Sequence, residues 1–212
     1  MTPNNIVNMA CLKGLDVIAV CDHNSAMNLP AIALVAEQQN LLLIPGLEVE
    51  SCEEVHVLCY FPTVAQALDM GDYVYDALPN IPNNPKFFGQ QVVMDDLDDP
   101  IATLDKLLVQ STVLSIDEIV KKCRSLGGVP VPAHINRPAN SLISSLGFIP
   151  PQLNLTAVEV YKHLHAPNVP LDAYRITHSS DAHRLGDISE REDFVTAYSH
   201  SVEGILDYLA GK

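Results

Sequence analysis

Side chains of the types that bind metal ions recur along this chain in short clusters beside apolar, strand-like runs. The set comprises Asp22 and His23 after DVIAVC, Glu48 after LLLIPGL, His56 within EEVHVLCYF, His134 after GGVPVPA, and Asp181 and His183 after ITHSS. Their ligand atoms are nitrogen and oxygen, which suit Zn, Fe or Mn, whereas structural zinc sites favour thiolates. Because the carboxyl ends of parallel strands converge at one end of a sheet or barrel, these positions predict one cation site there.

A carboxylate such as Glu48 can bridge two cations. Bridged cations about 3.5–4 Å apart activate water and neutralise charge on a phosphoryl oxygen. A single histidine at a strand end is more often a hydrogen-bonded structural residue than a ligand. The prediction of a cation site therefore depends on the whole set.

The elements that position these side chains alternate between strands and helices. Strands are predicted at 16–21, 41–45, 55–61, 129–133, 157–161 and 175–180, and helices at 4–13, 30–39, 116–126, 138–146 and 201–209. Ser115 and Glu118 form a predicted capping box at the start of the helix at 116–126. This alternation predicts an α/β protein with a mainly parallel sheet or barrel. Residues from 63 to about 114 depart from it with a polar, helical pattern. We therefore expect one domain, 1–212, with a helical insertion at 63–114 that forms a lid or a small subdomain.

The composition limits the classes of partner. A net charge of −14, from 26 acidic and 12 basic residues, disfavours binding to nucleic acid, which depends on Lys and Arg. No apolar run approaches the roughly 18–20 residues of a membrane helix, and the first residues do not resemble a secretory signal, so we expect a cytoplasmic protein. The five cysteines form no CxxC pair, so neither a disulfide framework nor a thiolate zinc site is indicated.

Five segments resemble, in order, motifs of the polymerase and histidinol phosphatase (PHP) superfamily. They are CDHNS at 21–25, GLEVE at 46–50, VHVLCYF at 55–61, PAHINRP at 132–138 and SSDAHRLGDIS at 179–189. Each motif is short, but their order extends over almost the whole chain. The resemblance implies a distorted (β/α)7 barrel with up to three divalent metal ions at the carboxyl ends of the strands. It also implies a metal-dependent phosphoesterase.

The resemblance also implies roles for the metal ligands. His23 and His183 would bind one metal ion, with a contribution from Asp181. Glu48 would bridge the other two, and His56 and His134 would complete the second site.

Further roles concern substrate and catalysis. Asp22 would orient a ligand, and Arg137 and Arg184 would bind substrate phosphate, although a surface ion pair is an equal interpretation of Arg184. Glu48, Asp181 and Arg137 would be catalytic. A metal-activated hydroxide would attack phosphorus, and Asp181 or a neutral histidine would assist proton transfer.

The chain departs from the PHP pattern at its beginning, where members carry a strand with His-x-His. Here Thr2 and Pro3 instead predict the start of a helix. Three explanations are open: the sequence begins at an internal methionine, the protein binds fewer metal ions, or His163 and His165 substitute. A missing strand would leave open edges, which offer a route to a homo-oligomer.

The expected activity is hydrolysis of a small phosphomonoester or phosphodiester. Without the first strand, fewer than three metal ions are expected. One alternative is a non-catalytic or weakly active metal-binding or regulatory module on the same fold. A second is an amidohydrolase-like metal hydrolase. That class usually has a metal-bridging lysine, and no lysine lies at an early strand end here.

Overall fold

A computed structural model describes residues 1–212 and contains seven α-helices, two short 3-10 helices (Pro151–Leu153 and Leu185–Asp187) and eight strands. The helices are α1 (Pro3–Leu12), α2 (Leu29–Gln38), α3 (Val64–Asp76), α4 (Pro85–Phe88), α5 (Ile116–Ser125), α6 (Leu142–Leu146) and α7 (Val202–Leu209). The strands are β1 (Val17–Val20), β2 (Leu42–Glu50), β3 (His56–Tyr60), β4 (Val92–Met94), β5 (Pro100–Thr103), β6 (Val129–Pro132), β7 (Ala157–Tyr161) and β8 (Arg175–Ser179). No helix is long and apolar enough to span a bilayer.

The main sheet has four strands in the order β1-β2-β3-β6 and is mixed, so the prediction of a mainly parallel sheet is wrong for its centre. Strand β1 runs parallel to β2, but β3 is antiparallel to both β2 and β6. Only residues 51–55 connect β2 to β3. A parallel crossover needs a dozen or more residues, so this connection dictates an antiparallel pair.

The strands do not close into a barrel, so the predicted (β/α)7 barrel is not confirmed. Strands β7 and β8 form a parallel pair, and β7 adjoins β6 through a hydrogen bond from the Ile135 N–H to the Glu159 carbonyl (2.9 Å). The outer strands β1 and β8 both line a cleft of about 450 Å³, at whose surface Glu48 and Asp181 also lie.

The two faces of the main sheet pack on different helices. Leu47 and Val49 of β2 belong to the largest apolar cluster, which includes Met70 of α3 and Ile119 of α5. Ile44 packs instead in the cluster that contains residues of α7. Because side chains alternate along a strand, Glu48 lies on the same face of β2 as Ile44.

The insertion at 63–114 is only partly helical, which corrects the expectation of a helical segment. Helix α3 packs on β2, and the short α4 and the antiparallel hairpin of β4 and β5 follow it. β-Branched residues occur in both hairpin strands, and Asp98 has a positive φ of 66° in the turn between them. Positive φ suits Asp and Asn in tight turns.

The predicted capping box at the start of α5 is confirmed. The Ser115 side chain accepts from the Glu118 N–H, and the Glu118 carboxylate accepts from the Ser115 N–H at 2.9 Å. Helix α6 begins later than predicted, at Leu142, because Ser141 provides its cap. The predicted helix start at Thr2 and Pro3 is confirmed, since Thr2 is the N-cap of α1. The Thr2 side chain does not cap the helix but donates to the Asp98 carboxylate (2.6 Å), which attaches the hairpin to α1.

Candidate metal centre

The Glu48 carboxylate is buried at the centre of a histidine cluster. Its Oε2 is 3.1 Å from His23 Nδ1, and its Oε1 is 3.1 Å from His56 Nδ1. His134 Nε2 is 3.3 Å from the same Oε1 atom. Ligand atoms of His23, Glu48 and His56 all lie within 4.8 Å of one another. The structure thus brings together four of the six predicted metal ligands.

The pairing of the strands explains how the residues meet. Beyond β1, an isolated bridge pairs His23 with Glu48 in the register that pairs Val20 with Pro45. Glu48 lies inside β2, which corrects its predicted place beyond a strand end. His56 is the first residue of β3 and pairs with Glu50. Since β3 is antiparallel, its amino end lies beside the carboxyl end of β2, and His56 reaches the same site as the others.

The side chains of His56 and His134 provide a test of whether the cluster fits a cation. His56 Nδ1 and His134 Nε2 are 3.3 Å apart, and both approach Glu48 Oε1. Two imidazole nitrogens and a carboxylate oxygen that converge on one point suit a shared cation better than a chain of hydrogen bonds. Three imidazoles and a carboxylate are also a common donor set for Zn, Fe and Mn. The residues present therefore fit a divalent metal ion.

The electrostatics of Glu48 and His56 are coupled. Burial alone would raise the pKa of the Glu48 carboxyl, but hydrogen bonds from His134 and His56 outweigh it and hold this pKa well below its usual range. Burial would likewise lower the pKa of His56, but its contacts with Glu48 and Glu50 raise it to about 9. The pocket thus stabilises the Glu48 carboxylate as an ion beside positive charge, and a bound cation would supply that charge in place of the His56 proton.

Asp181 and His183 form a second group beside the first. The His183 ring centroid is 5.8 Å from that of His23, and His183 Nδ1 is 2.9 Å from the Asp181 carbonyl oxygen. The Asp181 carboxylate pairs with the Arg137 guanidinium at 2.6 Å, and this guanidinium lies 4.5 Å from the centre of the Tyr161 ring. The two remaining predicted ligands are therefore adjacent to the Glu48 cluster without belonging to it.

The other predicted polar residues have varied surroundings. Asp22 Oδ2 accepts from Asn28 Nδ2 (3.1 Å) rather than from a histidine, and Arg184 is exposed and makes no ion pair. His163 packs edge-on against Tyr161, and the exposed His165 is likewise outside the Glu48 cluster. The orienting role of Asp22 and the phosphate role of Arg184 stay predictions.

Sequence reasoning missed a buried carboxyl group, Glu159 of β7. Its Oε1 accepts from the His134 N–H (3.1 Å), and burial, with the charge of Glu48 adding to it, raises its pKa to about 7. The available signal was a single carboxylate within the apolar run TAVEVY. A charged residue in a buried strand is costly and calls for a specific role.

It also missed the polar residues that surround His56. Glu50 Oε2 is 3.6 Å from His56 Nε2, and Glu50 Oε1 accepts from Ser111 Oγ (2.9 Å) and Asn140 Nδ2 (3.3 Å). Glu50 could have been recognised from its spacing, since residues two apart on a strand share a face. Nothing in the local sequence marks Ser111 or Asn140.

Two asparagines attach the insertion to the loop after β1. The fully buried Asn24 donates to the carbonyls of Leu108 (2.8 Å) and Gln110 (2.9 Å) and accepts from the Glu50 N–H (3.0 Å). Asn28 accepts from the Met94 N–H (3.0 Å) and donates to Asp22. These hydrogen bonds place the insertion next to His23.

Comparison with solved structures identifies proteins of the same fold. The chain superposes over its full length on a protein assigned as a metal-dependent phosphoesterase from Bifidobacterium adolescentis (TM-score 0.65, 16% identity, 93% of that chain covered). It also superposes fully on the lesion-specific endonuclease Q of Pyrococcus furiosus (TM-score 0.63, 19% identity, 51% of that chain). A third match is endonuclease Q in complex with a 27-mer duplex carrying an abasic lesion at its active site (TM-score 0.61, 17% identity, 52% of that chain).

The chain spans about half the length of the endonucleases it matches. No family profile and no curated protein sequence matches it. At these identities the likeness shows a shared fold, and it agrees with the PHP-superfamily resemblance of the sequence motifs.

Proposed function

We propose that this protein is a metal-dependent phosphoesterase that hydrolyses a small phosphomonoester or phosphodiester. The observation that carries the proposal is the Glu48 carboxylate, whose two oxygens are each approached by imidazole nitrogens of His23, His56 and His134. A divalent ion bound there would activate water and offset charge on the phosphoryl oxygens. The metal-dependent phosphoesterase among the structural neighbours supports this choice of chemistry.

Arg137 is the residue best placed to bind a phosphate next to this centre. Its guanidinium is about one-third exposed, stacks on Tyr161, and pairs with Asp181 through one nitrogen. The remaining donors belong to a polar cleft of about 540 Å³ that Lys162 and His163 also line. A planar fork of donors suits a phosphate, so Arg137 would orient the substrate while Asp181 holds the arginine.

The test begins with metal loading. Purified protein would be assayed for bound Zn, Mn and Fe, and for hydrolysis of p-nitrophenyl phosphate and bis-p-nitrophenyl phosphate with each metal. His134→Ala should lose metal and turnover together, whereas His165→Ala, a matched change at an exposed histidine outside the cluster, should keep both. Protein that binds no divalent metal would contradict the proposal.

Two other functions have supporting observations. A metal-binding module without efficient catalysis is supported by the cleft between β1 and β8, because these two strands are not paired and the sheet stays open beside Glu48. Full metal loading without turnover of either ester would favour that module. The endonuclease neighbours favour a nucleic-acid substrate, and a duplex with an abasic site would test this in the same assay.

A further inference from the structure

A third cleft adjoins the candidate metal centre on the side of the insertion. It has a volume of about 250 Å³, and its lining includes Asp22 and His23 of the loop after β1 together with Phe88 of α4 and Val109 of the insertion. We call this the aromatic pocket. Its volume is below the roughly 300–1,000 Å³ of pockets for drug-sized ligands, so it suits a single ring system.

Phe88 presents a large apolar surface to this pocket. Phe88 is 58% exposed, although phenylalanine is usually buried. Val92, Leu104 and Leu108 add apolar lining. An exposed aromatic ring beside an apolar floor is typical of a ligand-binding surface rather than of a folded core.

The segment that carries Phe88 is held in place by hydrogen bonds. Asn84 caps α4, and its carbonyl accepts from the Phe88 N–H (3.0 Å). Gly89 ends the helix with φ 80°, a conformation that favours glycine, and its carbonyl accepts from Asn83 Nδ2 (2.8 Å). The backbone position of Phe88 at the edge of the pocket is therefore defined by the local fold.

The polar lining fits the edge of a flat ring. Gln90 lines the pocket, and its side-chain amide makes no hydrogen bond within the chain. The neighbouring Gln91 differs, since its amide bonds to the backbone of Leu104, Lys106 and Leu108. One apolar face from Phe88 and one free amide from Gln90 are the two elements that recognise a planar aromatic group.

We propose that the aromatic pocket holds a planar aromatic ring in the leaving group of the phosphoester, stacked on Phe88. This inference rests on the proposed phosphoesterase function, because it assigns the ring a place beside a phosphorus atom at the metal centre. Phe88 is thus a specificity-determining residue that the insertion supplies. The chemical class of the substrate is an aryl or heteroaryl phosphoester.

Two ligands of similar size test the proposal. Phenyl phosphate and cyclohexyl phosphate would be titrated against the metal-loaded protein, and their Kd values measured for the wild type, Phe88→Ala, Phe88→Leu and Phe87→Ala. Phe87 is the matched control, since it is 82% exposed on the same helix but does not line the pocket. The Phe88→Leu variant retains apolar volume without an aromatic face.

We expect Phe88→Ala and Phe88→Leu to weaken binding of phenyl phosphate about 5- to 150-fold, the range given by stacking on an aromatic side chain. Binding of cyclohexyl phosphate should change less than about threefold, and Phe87→Ala should alter neither Kd. Unchanged phenyl phosphate affinity in Phe88→Ala would overturn the proposal. Equal losses for both phosphates, or no binding of either, would also overturn it.

Kinetics separate this proposal from the proposed function. Each variant is compared with the wild type on the same ester, so the intrinsic reactivity of the leaving groups cancels. Binding of phenyl phosphate that depends on Phe88, but without hydrolysis, would refute the phosphoesterase and keep the pocket. Hydrolysis with a KM for phenyl phosphate that is insensitive to Phe88→Ala would refute the aromatic pocket and keep the phosphoesterase.

Discussion

Glu48 and His56 lie on neighbouring antiparallel strands, and His56 Nδ1 is 3.1 Å from Glu48 Oε1. The other ring nitrogen of His56 faces Glu50 at 3.6 Å. The imidazole is therefore held between two carboxylates, which fixes the direction of the nitrogen that faces Glu48. A partner on the far nitrogen of a metal-ligating histidine is a recurrent way to orient the ring.

Glu48→Gln should abolish metal binding and hydrolysis. A glutamine keeps the size of the side chain but removes the charge that three histidines surround. Loss of an orienting partner outside the ligand shell typically costs 10–100-fold in metal affinity or activity, so loss of a central ligand should cost more than about 100-fold. Metal analysis and kcat/KM for an aryl phosphate measure both effects. Glu37→Gln, on exposed α2 surface, is the control, and a Glu48→Gln enzyme with normal metal content would show that Glu48 is not a ligand.

Metal binding should release a proton at pH 7.5. The pKa of His56 is raised to about 9 in the metal-free protein, so the ring is protonated at that pH, and a ligand imidazole must be neutral. Calorimetric titration in two buffers with different ionisation enthalpies measures the release. The exposed His200 provides a control, since His200→Gln should not alter it. Binding heats that are independent of the buffer would contradict the assigned role of His56.

The stability of the metal-free protein should fall as pH rises from 6.5 through 9. A raised histidine pKa means that the folded state binds the proton more tightly than the unfolded state. The contacts of charged His56 with Glu48 and Glu50 thus contribute fully below pH 6.5 and are lost as pH passes 9. Urea unfolding in the presence of a chelator at several pH values tests this. A constant free energy of unfolding across that window would be the opposing result.

Glu159→Gln should stabilise the metal-free protein at pH 8. Burial raises the pKa of Glu159 from 4.5 to about 7. The protonated carboxyl therefore contributes fully to stability below pH 4.5, and this contribution is lost as pH rises through 7. Above pH 7 the buried carboxylate ion lowers the free energy of unfolding by up to roughly 3 kcal/mol, since a difference of one in pKa between the folded and unfolded states corresponds to 1.36 kcal/mol. A glutamine keeps an oxygen for the His134 N–H without this charge. Chemical denaturation at pH 4.5 and pH 8 should show a gain only at the higher pH, and destabilisation at pH 8 would instead indicate a required negative charge.

Asn24→Ala should destabilise the fold by about 1–3 kcal/mol. The change leaves two half-buried carbonyls and the Glu50 N–H without their side-chain partner, and a fully buried group of this kind costs about 1–3 kcal/mol. Asn154→Ala is the matched control, because Asn154 also has a positive φ (46° against 49° for Asn24) but is exposed, and its side chain bonds only to the Gln152 carbonyl. Similar losses in both variants would assign the effect to backbone conformation rather than to attachment of the insertion.

Much of the candidate site could be predicted because its residues lie within or directly after apolar runs, and these runs form strands. The apolar pattern predicted β1, β3, β6, β7 and β8 to within about two residues, and the Ser115 capping box marked the start of α5. The strand predicted at 41–45 is too short. Strand β2 continues past Pro45 to Glu50, because pairing with β3 along the whole of 46–50 compensates for the interruption that Pro45 and Gly46 make in the pattern.

The sequence by itself determined which side chains are of the types that bind cations, since Asp22, His23, Glu48, His134 and the Asp181–His183 pair are recognisable beside their strands. Tertiary structure decided which of them meet. The antiparallel direction of β3 brings His56 to Glu48, and a pair of asparagines brings the insertion to His23. The tertiary structure also pairs Asp181 with Arg137, outside the Glu48 cluster. Ligand identity is a property of side chains, whereas the distance between ligands depends on strand order, direction and register.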